Sequence, residues 1–359
     1  MKKRTHNISK KKHKPSLKNI ILAAALMLAA VLIYQFINVY SRIYESNVLL
    51  DKNEKASVFI PSDADYEVVK QIFTDSEILI DTVSFDWVAK KKNYPSNING
   101  GHYVIKGGLN NNELINLLRG GFQTPVNVTF HNIRTKAELA GTIANQLEAD
   151  SLELMTFMND DAFLDGLGFE KHTIIAMFIP NTYEFYWNTS AENFFFRMKD
   201  EYEKFWNSKR EQQLDNLNLT KVQVSTLASI VDEETYINDE LDEIAGVYIN
   251  RLEKGIRLQA DPTVRFALNN FGIKRVLRTH LEIDSPYNTY KIAGLPPGPI
   301  AIPSIAAIDG VLNYAKHDYI YFCAKADFSG RHEFSKTLNQ HLRYAREYQR
   351  ALNRQRIYR

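Results

Sequence analysis

Leu227-Ala228-Ser229-Ile230-Val231-Asp232-Glu233-Glu234-Thr235 is a run in which an apolar helical pattern ends in three successive acidic side chains. Thr220 upstream is a predicted helix N-cap, and Val224, Leu227 and Val231 follow at spacings of three and four, the mark of a helix face turned to a core. At about 100° per residue, Glu234 falls about 20° from Leu227 and continues that face, while Asp232 and Glu233 swing away from it. A carboxyl drawn partly out of water favours its neutral form, which suits a general acid at neutral pH. Two readings stay open on this helix alone. Glu234 is either such an acid or a helix-end carboxylate paired with an arginine such as Arg251.

Outward from this helix, the pattern predicts an α+β fold. Downstream, a helix from about Asp239 to Glu253 carries Ile244, Val247, Tyr248 and Leu252 on one face, with Gly255 at the position that ends helices. Asp261-Pro262 reads as an N-cap followed by proline, opening a third helix. Two turn-rich loops follow, Asp284 to Tyr290 and Gly294 to Ile300. A helix over 304–315, a strand over 318–324, a return strand at His332-Glu333-Phe334 and a terminal helix from about Thr337 close the chain. Upstream, residues 191–217 read as helical, and Pro180 to Trp187 as a turn with an aromatic cluster. Thr135 with Glu138 gives a capping-box spacing after the strand Val126 to Phe130. Residues 55–121 form a smaller predicted unit with strands at Ser57–Ile60 and His102–Ile105 and helices between and after them. A larger mixed domain is predicted over 122–359.

Composition fixes the surroundings. The chain has 359 residues, 44 basic and 42 acidic, and eight of the basic ones lie in residues 1–19 with no acidic partner. The remainder is therefore net acidic, which argues against nucleic acid as a partner. After this basic tail no charged residue occurs between Lys18 and Arg42. An apolar run of about 20 residues spans the roughly 30 Å of a bilayer's hydrocarbon, so residues 20–40 are predicted to cross a membrane. The basic flank places the tail in the cytoplasm and residues beyond 40 on the other side. Cys323 is the single cysteine, so no intrachain disulfide is possible, and it is predicted to be a packed thiol.

Chemistry is narrowed by what the sequence lacks. It has no HExxH, no Walker loop, no GxGxxG after a strand and no GxSxG elbow, and no metal or cofactor is expected. His317, His332 and His341 read as hydrogen-bonding side chains. A glycosidase normally sets two carboxyls across the scissile bond, and Asp232 faces away from Glu234. One carboxyl suffices if it acts first as acid and then as base while the substrate's own hydroxyl replaces water.

Several ordered segments then carry a resemblance. With Leu227 to Thr235, they are Pro180-Asn181-Thr182-Tyr183, Val247 to Leu252, Leu258-Gln259-Ala260-Asp261-Pro262-Thr263-Val264, Tyr287-Asn288-Thr289-Tyr290, Gly294 to Ile300 and His332 to Ser335. Together they resemble the YceG-like family of endolytic murein transglycosylases, from about residue 55 to the end. The resemblance implies cleavage between N-acetylmuramic acid and N-acetylglucosamine inside peptidoglycan strands, leaving a 1,6-anhydro end. It also implies a LysM-like subdomain at 55–121, an inner-membrane anchor, and partners among cell-wall synthases or division proteins. In the family pattern the catalytic glutamate directly precedes Thr, which is Glu234 here. Asp232 stands where the family usually has Glu, and Ile174-Ile175-Ala176-Met177 stands where many members carry a Glu-Gly pair. Asn250, Arg251, Gln259, Asp261, Thr263, Tyr287, Asn288, Tyr290 and Pro296 are the expected substrate-side residues, with Asp261 read chiefly as a helix cap and Pro296 as part of the groove wall. A peptidoglycan-binding scaffold without catalysis, and a hydrolase that uses water, are the competing expectations.

Overall fold

The computed structural model describes residues 16–355 of the chain, so most of the basic tail, residues 1–15, lies outside the described residues. It is a mixed α+β structure that divides into two compact units, residues 1–124 and 125–359.

The first unit begins with α1 (Leu17–Tyr44), a helix of 28 residues and mean hydropathy 2.6 in its most apolar window, none of it buried. By length and composition it is able to cross a membrane, and it runs past both ends of the predicted 20–40 span. Its last turn continues because it has partners. Asn111 donates from Nδ2 to the Arg42 carbonyl at 2.9 Å, and the Arg42 guanidinium stands 5.9 Å from the Trp87 ring. Then come β1 (Lys55–Ile60), α2 (Tyr66–Asp75), α3 (Thr82–Lys91), a 3₁₀ turn (Tyr94–Ser96), β2 (Gly101–Lys106) and α4 (Asn111–Arg119). The two strands pair antiparallel with Lys55 opposite Lys106. Alternation in β1 sends Val58 and Ile60 inward, onto Val69, Phe85, Tyr103 and Leu114. Each helix start is capped as its sequence dictates, by Asp65, by Asp81 and by an Asn110–Glu113 capping box. Buried Asn47 ties the pieces together, donating to the Asp81 carbonyl and to Asn111 Oδ1.

The second unit opens with β3 (Val126–Phe130), α5 (Lys136–Ala144), α6 (Ser151–Phe157), α7 (Asp161–Leu167) and a 3₁₀ turn (Ile174–Met177). Next is β4 (Asn181–Phe185), where the sequence reading expected a turn; it pairs antiparallel with β3, Val126 opposite Phe185. Tyr183 and Phe185 alternate inward there, so the aromatic cluster is mostly core, with Phe185 against Phe194 at 5.5 Å. α8 (Ala191–Phe205) and α9 (Ser208–Leu214) lead to α10 (Lys221–Glu234). α10 is the axis of this unit. The sequence reading gave it one apolar face, but every residue from Val224 to Val231 is buried, because α10 is packed by other helices on several sides. Its small polar residues serve that enclosure: Ser229 Oγ donates to the Thr226 carbonyl and accepts from the Ile300 amide at 3.0 Å.

After α10 a 3₁₀ turn (Asn238–Glu240) precedes α11 (Leu241–Glu253), so the predicted second helix starts two residues late. α12 (Asp261–Ala267), α13 (Ile305–Leu312), β5 (Tyr321–Ala324), β6 (His332–Ser335) and α14 (Leu338–Arg354) complete the unit, with β5 and β6 antiparallel. Cys323 lies half-buried in β5, and burial pushes its thiol above the ordinary value.

Candidate active site

The three acidic residues that end α10 have three different environments. Asp232 accepts from both the amide and the hydroxyl of Ser304, at 2.8 and 2.7 Å, and so anchors the residue that caps α13. Glu233 pairs with Arg134 at 2.9 Å. Glu234, in the last position of the helix, lines a cavity of about 420 Å³ in the second unit. Thr235 is extended, so the chain leaves the helix directly after Glu234.

Helix α11 supplies the wall facing Glu234. Tyr248 follows it by fourteen residues and donates its hydroxyl proton to Glu234 Oε1 at 2.8 Å. Burial raises the Glu234 carboxyl, the Tyr248 hydrogen bond draws it down, and the Asp261 charge raises it further, for a result of about 7. Burial and the neighbouring carboxylate also lift the Tyr248 phenol well above its ordinary range, which leaves it a donor. One turn on, Arg251 is buried but is not the ion-pair partner considered from sequence. Its guanidinium donates to the carbonyls of Arg257 and Ile320 and to Gln259 Oε1, at 2.7 to 3.0 Å.

Gln259 comes from the short connection between α11 and α12, and Asp261 from the start of α12. Gln259 holds a φ of +53°, a left-handed backbone that costs a non-glycine residue about 1 kcal/mol or more. Asp261 is the first helical residue of α12 and makes no cap bond, contrary to the capping role read from the sequence. Its Oδ1 instead accepts from the Tyr290 hydroxyl at 2.6 Å. Glu234, Arg251, Gln259, Asp261 and Tyr290 thus share one cavity.

The other expected substrate-side residues are turned into the protein. Asn250 donates to the carbonyls of His317 and Tyr319. Thr263 bonds the Ala260 carbonyl and Thr289. Asn288 donates to the carbonyls of Leu281 and Ile283, and accepts from the Tyr290 amide, which holds Tyr290 in place. Tyr287 packs on Phe266 with ring centres 4.7 Å apart. Pro296 is buried in a loop pressed against the 172–173 backbone, where a side chain at Gly298 would stand 1.8 Å from the His172 carbonyl oxygen. None of these five lines the cavity.

Sequence reasoning missed the opposite wall, made by β5 and the first turns of α14. Tyr321 stacks on His341 at 5.3 Å, and Leu338 and Leu342 flank the histidine at helical spacing. His341 Nδ1 has no hydrogen-bond partner among the described residues, and burial with the nearby Arg251 charge keeps its imidazole below the usual value. No group of three metal-ligating side chains occurs among the described residues.

Known proteins resemble this chain over most of its length. The model of the YceG-like family matches residues 58–347. The chain is 30% identical over 321 residues to the endolytic murein transglycosylase of Bacillus subtilis, covering 83% of this chain and 86% of that protein. It is 26% identical over 318 residues to the endolytic murein transglycosylase of Streptococcus pneumoniae, spanning 79% of this chain but 57% of that longer protein. A crystal structure of a yceG-like protein from Listeria monocytogenes superposes with a TM-score of 0.56 at 27% identity, over 81% of this chain and 98% of that one. The chain belongs to the YceG-like family.

Proposed function

We propose that this protein is a membrane-anchored endolytic lytic transglycosylase, with Glu234 as its acid and base. The observation that carries the reading is a carboxyl raised to about 7 on the wall of a cavity large enough for sugar units. The name shared by the Bacillus and Streptococcus relatives supports it. Protonated Glu234 gives its proton to the glycosidic oxygen between N-acetylmuramic acid and N-acetylglucosamine as the bond from C1 breaks. The resulting carboxylate then takes the proton of the muramoyl C6 hydroxyl as that oxygen attacks C1. The products are a 1,6-anhydro end and a free N-acetylglucosamine end, and Glu234 is again protonated. Tyr248 orients the carboxyl throughout, and Arg251, Gln259, Asp261 and Tyr290 face the strand.

α1 serves as the anchor, with the N-terminus in the cytoplasm and both units outside it. The strand-helix-helix-strand order of the first unit supports a LysM-like role in holding glycan. Such an enzyme limits the length of nascent strands and works beside cell-wall synthases or division proteins. The test is the end chemistry of purified glycan strands treated with the full chain in detergent. Mass spectrometry is expected to find new anhydro ends. Reducing ends alone would make the protein a hydrolase, and strand binding with no new end would make it a scaffold.

The hydrogen bond from Tyr248 lowers the Glu234 carboxyl, so its loss works in the opposite direction. Tyr248→Phe is expected to move the alkaline limb of the pH–rate profile upward from about 7, with a kcat reduced about tenfold as the carboxyl loses its fixed orientation. A limb at the wild-type position would refute this account of Tyr248.

A further inference from the structure

The cavity contains a second carboxylate that the one-carboxyl mechanism leaves idle. Asp261 lines the same wall as Glu234, and it is held by a 2.6 Å hydrogen bond from Tyr290 rather than by a cation. Tyr290 is in turn fixed from behind by Asn288, whose side chain is wholly buried and bonded to three backbone groups. A chain of half-buried hydrogen bonds therefore ends on a carboxylate in the cavity that Glu234 also lines, and no salt bridge neutralises Asp261 among the described residues.

We infer that Asp261, anchored by Tyr290, is a positioning residue for the proton on Glu234: its negative charge, fixed in the same cavity, holds that proton in place until the glycosidic oxygen arrives. The inference rests on Glu234 being the acid. Two like charges in one water-poor space resist coexistence, so a fixed carboxylate favours the neutral form of its neighbour. The other charged and titratable groups around Glu234 pull in both directions. Tyr248 donates to it from α11, Arg265 on α12 opposes Asp261, and Glu233 on α10 reinforces it. Arg251 on α11, Tyr321 on β5 and His341 on α14 close the remaining sides, and the Arg251 charge is already engaged with carbonyls. With Arg265 and the Tyr248 hydrogen bond both drawing the proton off, Asp261 is the acidic counterweight that lines the cavity itself, which Glu233 does not. Its position at the head of α12 offers a purely structural alternative, which the choice of readout must separate.

The experiment compares pH–rate profiles of the full-length wild type, Asp261→Asn, Asp261→Ser and Asp261→Glu on glycan strands, with anhydro-end release as the signal. Both neutral variants are expected to shift the alkaline limb down by about one pH unit, so that they lose far more activity at pH 7.5 than at pH 5.5. Asp261→Glu, which keeps the charge, is expected to leave the limb within a few tenths of its wild-type place. A folded neutral variant with the wild-type limb overturns the inference, whatever its kcat, because a structural role lowers activity without moving the limb. Unfolding of both neutral variants overturns it as well, since Asp261 is then an element of the fold. An active Glu234→Gln enzyme would instead remove the reading on which the inference rests, while an inactive one beside an unmoved Asp261→Asn limb removes this inference alone.

Discussion

Glu234→Gln is expected to lower anhydro-end formation by about a thousandfold while leaving the fold intact, because glutamine matches the shape and keeps an oxygen to accept the Tyr248 hydrogen bond but has no proton to give. The same substitution has an expected effect on stability with a definite sign. The folded protein holds the Glu234 proton up to about pH 7, above the ordinary glutamate value of 4.5. Below that ordinary value the group is protonated whether the chain is folded or not, and its linkage contribution is fully present. As pH rises through 7 that contribution is lost, because the unfolded chain ionises freely and the folded one resists. Glu234→Gln is therefore expected to be more stable than wild type at pH 8, by up to about 3 kcal/mol, and to show no such advantage at pH 4. Chemical unfolding at the two pH values, alongside the product assay, checks both halves. Wild-type levels of anhydro product from this variant would sink the assignment of Glu234.

Arg251→Ala is expected to cost about 3 kcal/mol, the largest stability loss of the substitutions considered. Arg251 ties α11 to the 257–259 connection and to the start of β5 through four hydrogen bonds. Without it the carbonyls of Arg257 and Ile320 lose these donors in a half-buried place, at about 1–3 kcal/mol for each group left without a partner. For a unit of this size the loss corresponds to a fall in Tm of roughly 6–12 °C. Arg251→Lys is expected to recover only part of it, since one ammonium does not reproduce a planar fork that reaches two carbonyls and an amide. Thermal unfolding followed by circular dichroism measures this, and a Tm within a degree of wild type would refute the role.

The stripe Val224, Leu227, Val231 and Glu234 was legible because helix periodicity is local, and of the three acidic residues that end α10 it pointed to the one that lines the cavity. Capping was equally legible at Thr220 and Thr135, where the side chain accepts from a backbone amide three residues ahead. The roles of the polar residues beyond α10 were not. Asn250, Thr263 and Asn288 have the chemistry to bind a sugar, but the groups they bond are carbonyls and hydroxyls of their own chain, some of them 69 residues away. Nothing in a residue's type distinguishes the two partners. Tyr248, His341 and Tyr321 reach the cavity through the packing of α11, β5 and α14, a non-local event that local pattern does not encode. β4 was hidden for a further reason: Pro180 and Asn181 are turn-forming residues, and pairing with β3 overrode them.

The bond between Asn111 and the Arg42 carbonyl joins the end of α1 to the rest of the first unit. A helix of 28 residues is about 42 Å long, against roughly 30 Å of hydrocarbon. In the anchor proposed above, the four residues of α1 past residue 40 make about 6 Å of stiff rod beyond the lipid, ending in a grip on α3 and α4 instead of a floppy tether. In that proposed arrangement such a stalk sets the height of the first unit above the bilayer and its rotation about the helix axis.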